Sequence, residues 1–591
     1  MKQKKKYNQI TVLIIAIVLF TGSSEFLYPA FPDEPLILHP NIQVRTVSDG
    51  LITPTSMVFI DDDDILVLEK NTGRVMRVYN GQLHSTVLDL SVNFASERGL
   101  LGIALHPDFL TNGFVYLYWT ESNSGSDSNI PGETSLFGNR VDRFVWDGSV
   151  LNFDLNLIQI RAVQADADQP QRGNNNGGKL KFGPDNKLYI FIGDVGRRGQ
   201  LQNLPCGPTD DCPGTTVPDD QFGGPEPDDA HLTGVVLRLN DDGSTPEDNP
   251  FYSVGSATGG EIGGNIQKIF SYGHRNSFGM DFDPYSGILW LAENGDDSFS
   301  EINRVLPGMN GGWVQVMGPL QRIDQYKNIE TSFAYFGLQQ IRWSPENIAG
   351  SPDEALSQLF KLPGSYYGDP EFSWKYEVAP AGIGFLKGRS LGARFEGNLF
   401  VGTAGDPLSG GYLFRFKLTG NRRKIAVEDR RLHDRVADNL DKWDLTESES
   451  ILFGKDFGIL TDIQTAPNGN LYVLSLSNGA IYEVFHTSQG SGNKFALSSD
   501  GIQPLDYELL QNYPNPFNPS TTISWQSPVD SWQTLKIYDL LGREIATLVD
   551  EEKPAGTYEI NFDASGLPSG IYFYKIQLGN FIETKKMILI R

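Results

Sequence analysis

Sulfur and imidazole are scarce in this chain of 591 residues, which carries 2 cysteines, 7 methionines and 7 histidines. Two isolated cysteines are a weak metal signal. Cys206 and Cys212 bracket a short polar loop, and in an exported chain a local disulfide between them is the leading reading. Positive charge is also in deficit: 48 Lys and Arg face 73 Asp and Glu, a net charge of -25. That balance argues against nucleic acid or an anionic membrane surface as the principal partner, since both would repel it. It suits a soluble exported protein and is compatible with calcium. Long amphipathic helical patterns are few. No His-Glu-x-x-His, Cys-x-x-Cys or Gly-x-Ser-x-Gly occurs, and the glycine-rich stretch 193–199 follows a strand with no helix after it, so it does not read as a phosphate cradle. The acidic loops 61–64 and 219–229 lack EF-hand spacing and read as solvated turns.

What is abundant is turn chemistry between apolar strands. Six apolar cores, residues 65–68, 115–119, 188–192, 288–291, 399–402 and 471–474, mostly follow a strand and a turn rich in Asp, Asn, Pro and Gly. Pro184, Asp185 and Asn186 form one such turn, and Pro467, Asn468 and Gly469 another. A hairpin of this kind cannot bury its apolar face alone, so six of them predict an all-β, six-bladed β-propeller over residues 41–485. The uneven spacing is read as long insertions, of the kind that build sites near a propeller axis.

The ends read differently. Lysines at 2 and 4–6, the apolar run 10–20 and the small residues 21–24 have the layout of a secretory signal peptide over 1–24. The run is short for a bilayer span, which leaves an uncleaved anchor as the lesser alternative. Residues 486–506 lose periodicity and gain Ser, Gly and Gln, which marks a linker. Residues 507–591 read as a small β-sandwich with strands near 521–525, 534–538, 556–562, 570–578 and 585–590. Its Asn512, Tyr513, Pro514, Asn515, Pro516 and Phe517, the stretch 537–543, the stretch 567–572 and the basic finish 585–591 closely resemble the C-terminal sorting domain of the type IX secretion system. The resemblance implies passage through the periplasm and across the outer membrane by the type IX machinery, then release or attachment at the outer cell surface. A carbohydrate-binding sandwich is the alternative, and few exposed aromatics favour it.

Three stretches of the repeat region carry a second resemblance: residues 97–109 beginning Glu97, Arg98, Gly99, Leu100, Leu101 and Gly102; residues 271–279 with Gly273, His274, Arg275 and Asn276; and Glu293, Asn294 and Gly295 leading into 300–303. They look like the soluble glucose/sorbosone dehydrogenase family, which implies a propeller that binds pyrroloquinoline quinone (PQQ) and calcium and oxidises aldose sugars. In such an enzyme a base takes the sugar hydroxyl proton while hydride leaves to the quinone. The resemblance places Arg275 and Asn276 at the quinone oxygens, where a guanidinium stabilises developing charge. It puts Gly295 and Asp296 where backbone carbonyls ligate calcium, an ion suited to hard oxygen donors. A plain Gly-Asp turn is the alternative there. Asp194 falls at the carboxylate that orients the catalytic histidine.

The histidine itself is absent. The family's base position is occupied by Asn175, and an amide is not a useful proton acceptor. His274 is expected to be structural. The family's Arg-x-Arg-Asp appears as Ile459, Leu460, Thr461 and Asp462, and the stretch 402–406 has no lysine. Three missing cations, at ~1.5–3 kcal/mol each, predict PQQ binding weaker by roughly 5–9 kcal/mol unless others substitute; Arg197, Arg198, Lys387, Arg389 and Lys455 lie in suitable loops. The resulting expectation is a secreted PQQ- and calcium-dependent oxidoreductase acting on a sugar or polyol, with Asp194 or a water it orients replacing the histidine. The alternative is a non-catalytic extracellular propeller that binds glycan or protein. The sequence names neither the particular sugar nor an oligomeric state.

Overall fold

The polar turns close as their residues dictate. Gly183 N donates to Lys187 O at 2.9 Å, and Asn186, held at φ +58°, swings the chain into the strand Leu188–Ile192. Gly469, at φ +81°, does the same before Leu471–Ser475, a conformation that costs glycine nothing. The structure is a computed structural model that describes residues 34–163, 173–196, 200–203, 232–333, 345–405, 410–487, 507–509, 512, 515–540, 542–579 and 581–590. The expected signal peptide, Cys206, Cys212, Arg197, Arg198, the acidic loop 219–229 and residues 488–506 of the expected linker lie outside them. The chain divides into two units, residues 1–489 and 490–591.

The first unit is all-β in its framework, built on six sheets. In chain order their first two strands are Pro54–Asp61 and Asp64–Glu69; Leu100–Leu105 and Phe114–Thr120; Leu180–Phe182 and Leu188–Ile192; Gly279–Phe282 and Leu289–Glu293; Pro380–Phe385 and Leu399–Thr403; Leu460–Thr465 and Leu471–Ser475. Each pair is antiparallel. The six apolar cores fall on the second strand of each sheet, with Ile288 just ahead of its strand.

These strands are apolar on both faces because both faces are covered. Successive side chains point to opposite sides, so each strand feeds two different cores. Leu66 and Leu68 pack with Val115 and Leu117 of the second sheet. Tyr116 and Tyr118 face Leu188 and Ile190 of the third, whose Tyr189 and Phe191 meet Leu289 and Leu291 of the fourth. Trp290 joins Leu399 and Val401 of the fifth, and Phe400 joins Leu471 and Val473 of the sixth. Tyr472 and Leu474 return to Ile65 and Val67 of the first. Six sheets therefore share six interfaces in a cycle. The outer strand of the sixth sheet, Ile42–Ser48, comes from the start of the chain and pairs with Ala480–His486. The two ends of the unit are thereby held by one ladder.

The expected insertions are present. Between Ser298–Val305 and Phe372–Tyr376 of the fourth sheet the chain makes a long excursion containing the helices Ile323–Phe333 and Pro352–Gln358. Asp64 of the first acidic loop is buried and paired with Arg77 at 2.5 Å, so that loop is a hairpin turn.

The second unit has two sheets. One runs Glu508–Leu509, Ser520–Ser527 and Gly556–Asp563; the other runs Glu544–Lys553, Ser531–Tyr538, Gly570–Leu578 and Phe581–Leu589. Ile523, Trp525, Leu535, Ile537, Tyr574 and Met587 from both sheets share one core. The sequence reading missed Glu544–Lys553, and the reason is physical: that strand is mostly exposed, so it carries no apolar alternation. Among the described residues no helix is long and apolar enough to cross a membrane.

Candidate functional site

In each antiparallel pair the end of the second strand lies beside the start of the first, so the residues at these positions gather at one end of the six-sheet cycle. Lys70, Glu97, Asn175, Asp194, Arg275, Asn276 and the turn after Leu289–Glu293 all occupy such positions.

Asn175 is buried and held at φ +55°. Its Nδ2 donates to Asp194 Oδ1 at 2.9 Å and its backbone N to Glu97 Oε2 at 2.6 Å. Asp194 also accepts from Gly196 N at 2.7 Å on Oδ1 and from Trp313 Nε1 at 2.9 Å on Oδ2. Burial pushes the Asp194 carboxyl up to about 6, although Arg275 and these donors pull the other way. The structure thus brings Asn175 and Asp194, both singled out in the sequence and 19 positions apart, into direct contact.

Arg275 lies over the Trp313 ring at 5.4 Å. Its Nη1 donates to Asn294 O at 3.2 Å and its Nη2 to Asp296 Oδ1 at 2.8 Å. Asn276 Nδ2 donates to Glu97 Oε2 at 3.0 Å. Three buried polar atoms here, Arg275 Nε, Asn276 Oδ1 and Asn294 Nδ2, have no hydrogen-bond partner among the described residues. Such atoms are costly unless a ligand or water satisfies them. The backbone beneath is fixed by Glu293, whose Oε1 accepts Arg275 N at 2.5 Å and whose Oε2 meets His274 Nδ1 at 3.0 Å and Asn303 Nδ2 at 3.1 Å. His274, fully buried with Nε2 3.0 Å from Ser271 Oγ, is structural, as its motif suggested.

Gly295 occupies a tight turn in which a Cβ would lie 1.8 Å from Ser298 O. Beside it, carboxylate oxygens of Asp296, Asp297 and Glu330 approach within 4.8 Å of one another. Glu330 Oε1 accepts from Ser298 Oγ at 2.6 Å, Ser298 N at 3.0 Å and Asp297 N at 3.1 Å. Burial, with the Asp296 and Asp297 charges, pushes Glu330 up to about 8. Lys442 Nζ pairs with Asp297. Glu377, bonded to Ser300 Oγ at 2.7 Å, is raised by burial to about 7.

Several of these groups escaped sequence reasoning. Trp313 and Glu330 arrive on the insertion of the fourth sheet, and Lys442 on a loop far along the chain. Lys70 is buried and pushed down to about 7 by that burial, with Glu97 opposing the change. Glu97 stood in a quoted motif without a role. The segment 459–462 stitches the sixth sheet to the first: Thr461 Oγ1 donates to Pro54 O at 3.1 Å and Asp462 Oδ2 accepts Met57 N at 2.9 Å. Of the substitute cations suggested from sequence, Arg389 pairs with Glu396 at 2.7 Å, Lys455 lies 3.4 Å from Asp456, and Lys387 is exposed.

The donor set therefore divides. Hard carboxylate oxygens at Asp296, Asp297 and Glu330 suit a calcium ion. The unpartnered atoms of Arg275, Asn276 and Asn294 suit the polar edge of a quinone.

An all-β cycle that gathers charged loops and buried carboxylates at one end of its axis is the class defined by these observations. Residues 51–331 match the glucose/sorbosone dehydrogenase family model, and residues 511–590 match the secretion system C-terminal sorting domain. The chain is 30% identical over 327 residues to quinoprotein glucose dehydrogenase B of Acinetobacter calcoaceticus, covering 52% of this chain and 61% of that one. It is 25% identical over 447 residues to an aldose sugar dehydrogenase of Escherichia coli, covering 75% and 92% respectively. The solved apo-form of the soluble aldose sugar dehydrogenase of Escherichia coli aligns with a TM-score of 0.47 at 22% identity, over 75% of this chain and 99% of that one.

Proposed function

We propose that this chain is an exported sugar-dehydrogenase-like oxidoreductase that uses calcium and PQQ to oxidise a sugar or polyol. The six sheets of residues 41–485 are the blades of a six-bladed β-propeller. Residues 1–24 are a signal peptide, 486–506 a linker, and 507–591 a β-sandwich sorting domain read by the type IX secretion machinery. The mature protein is secreted or held at the outer cell surface.

The observation that carries this reading is the set of unpartnered polar atoms on Arg275, Asn276 and Asn294, next to the Asp296, Asp297 and Glu330 carboxylates. The names of the relatives, a quinoprotein glucose dehydrogenase and an aldose sugar dehydrogenase, supply the substrate class. Asp296, Asp297 and Glu330, with the turn carbonyls at Gly295 and Asp296, would hold calcium. Arg275 and Asn276 would face the quinone. When bound, PQQ supplies a two-electron oxidant. The protein's own residues orient the substrate and manage protons: Asp194 fixes Asn175 and Trp313, and Trp313 backs the guanidinium of Arg275.

Calorimetric titration of metal-stripped protein with PQQ, with and without calcium, followed by a sugar panel with an artificial electron acceptor, tests the reading. Calcium-dependent submicromolar binding and turnover support it. No binding at tens of micromolar refutes it and supports a second reading, a non-catalytic module for glycan or protein. The observation favouring that second reading is Asn175, whose amide is turned into Asp194 at the position of the family's base.

A further inference from the structure

Four carboxylates at this end of the unit, among them the Asp194 that the sequence offered in place of the histidine, are candidates for the proton acceptor, and their hydrogen bonds separate them. Asp194 is fully buried and both of its oxygens accept donors from Asn175, Gly196 and Trp313. Glu377 spends Oε2 on Ser300 Oγ and Oε1 on Ala379 N at 2.6 Å. Glu330 is buried and its Oε1 takes three donors within the acidic trio. Glu97 differs from all of these. Its Oε2 is anchored by Asn175 N at 2.6 Å and Asn276 Nδ2 at 3.0 Å, while its Oε1 accepts no hydrogen bond from the described residues. The side chain is lodged deep among protein atoms, yet it retains part of its surface to solvent, unlike Asp194. One oxygen is thus fixed and the other is without a hydrogen-bond partner among the described residues.

We infer that Glu97 is the proton acceptor of this site, standing in for the imidazole that Asn175 cannot supply. The inference rests on the oxidoreductase reading above. In the step, the sugar O–H bond breaks and its proton goes to Glu97 Oε1. The carbon–oxygen bond becomes a carbonyl, and the hydrogen on that carbon departs with its electron pair to the quinone oxidant. Anchoring by Asn276 also ties the acceptor to the residue next to Arg275, so the loop that carries the quinone-facing cation also holds the base.

The electrostatics suit the task. Burial raises the Glu97 carboxyl above the ordinary carboxylate range, against the opposing pull of Asn175 N, Arg275, Asn276 and Lys70. A base displaced toward neutral pH is the more effective one. Lys70 at the end of the first sheet's second strand and Arg275 between the third and fourth sheets are the charged groups that face it.

The test compares full-length wild type, Glu97→Gln and Glu97→Asp. Glutamine keeps an oxygen that can accept from Asn175 N and Asn276 Nδ2, so melting temperature and PQQ affinity should change little. In calcium- and PQQ-loaded protein, Glu97→Gln should lower kcat by about 100- to 10,000-fold, with KM within about threefold of wild type, and should abolish the acid limb of the pH–rate profile. Glu97→Asp, which keeps the carboxylate, should restore that limb at reduced rate and covers the case in which the glutamine variant folds poorly. Infrared titration of the cofactor-free protein provides a readout independent of turnover: a carboxyl band titrating above the ordinary range in wild type should be missing in Glu97→Gln. Wild-type turnover with a Glu97→Gln rate within threefold overturns the role of Glu97 and leaves the oxidoreductase reading standing. Turnover without such a titrating band also overturns it. Absence of turnover in wild type overturns both.

Discussion

The acidic trio makes a quantitative prediction for Glu330→Gln. Glu330 is 1% exposed, and burial together with the Asp296 and Asp297 charges raises its carboxyl to about 8. In the unfolded chain the same group ionises near ~4.3. Between those two values the folded protein holds a proton that the unfolded chain has lost, so stability must fall as pH rises from ~4.3 to about 8. The full displacement is an upper bound of ~5 kcal/mol. Because the three carboxylates share the repulsion, the part that one substitution relieves is about 2–4 kcal/mol. Glutamine retains the oxygen that accepts from Ser298 and Asp297, and its amide turns a repelling oxygen into a donor toward the two aspartates. Asp194, at about 6, and Glu377, at about 7, titrate alike in both proteins, so the difference between variant and wild type isolates Glu330. Unfolding entropy for a unit of this size is roughly 1 kcal/mol/K. In chelator at pH 9, Glu330→Gln should therefore melt about 2–4 °C above wild type, and at about pH 4, where the carboxyl is largely protonated in the folded and unfolded chains alike, the two should nearly coincide. Calcium should raise the wild-type melting temperature at pH 9 and do less for the variant, whose ligand set is one carboxylate short. Scanning calorimetry at the two pH values reads all of this. A variant that melts at or below wild type at pH 9 in chelator would refute the reasoning.

Two further predictions concern the framework that positions the site. Glu293→Ala strands two buried groups, Arg275 N and His274 Nδ1, at about 1–3 kcal/mol each, and leaves Asn303 Nδ2 only its bond to Glu301 Oε2 at 2.8 Å; urea unfolding should register a loss of about 2–5 kcal/mol, and a loss below 1 kcal/mol would contradict the hydrogen-bond assignment. Gly102→Ala would push a Cβ to 2.0 Å from Gly178 O, a carbonyl of the third sheet held in place by Gly178 N donating to Phe191 O at 2.9 Å. A cost of about 2–3 kcal/mol, measured as a lower urea midpoint, is expected from the overpacking, whereas a neutral variant would mean that the two sheets can slide apart.

The repeat was legible in sequence because it is local. Each apolar core is a continuous run bounded by a turn, and a strand covered on both faces has no polar face to interrupt that run. Hence the six cores fell on the six second strands, while Glu544–Lys553, with almost nothing buried, was invisible. The motifs around Glu97, Arg275 and Glu293 likewise stand out as strings, because each belongs to a single loop.

What the string leaves open is which loops meet and what each group does once they do. Lys70, Glu97, Asn175, Arg275, Glu330 and Lys442 are spread over hundreds of positions, and no local pattern links them. They converge only because six interfaces run in a cycle and the strand ends are brought to the same edge. Charge state follows the same division. Asp194, Glu330 and Glu377 are ordinary carboxylates on paper, and their displaced ionisation comes from burial by chain segments remote in sequence. Composition and turn chemistry by themselves thus determined an all-β repeat unit followed by a small β unit, since those signals are short-range. The tertiary structure alone decided that Asn175 is turned into Asp194, that Arg275 is capped by Asp296, and that Glu97 keeps one oxygen without a partner among the described residues, since each of these depends on a hydrogen bond or a desolvation between distant parts of the chain.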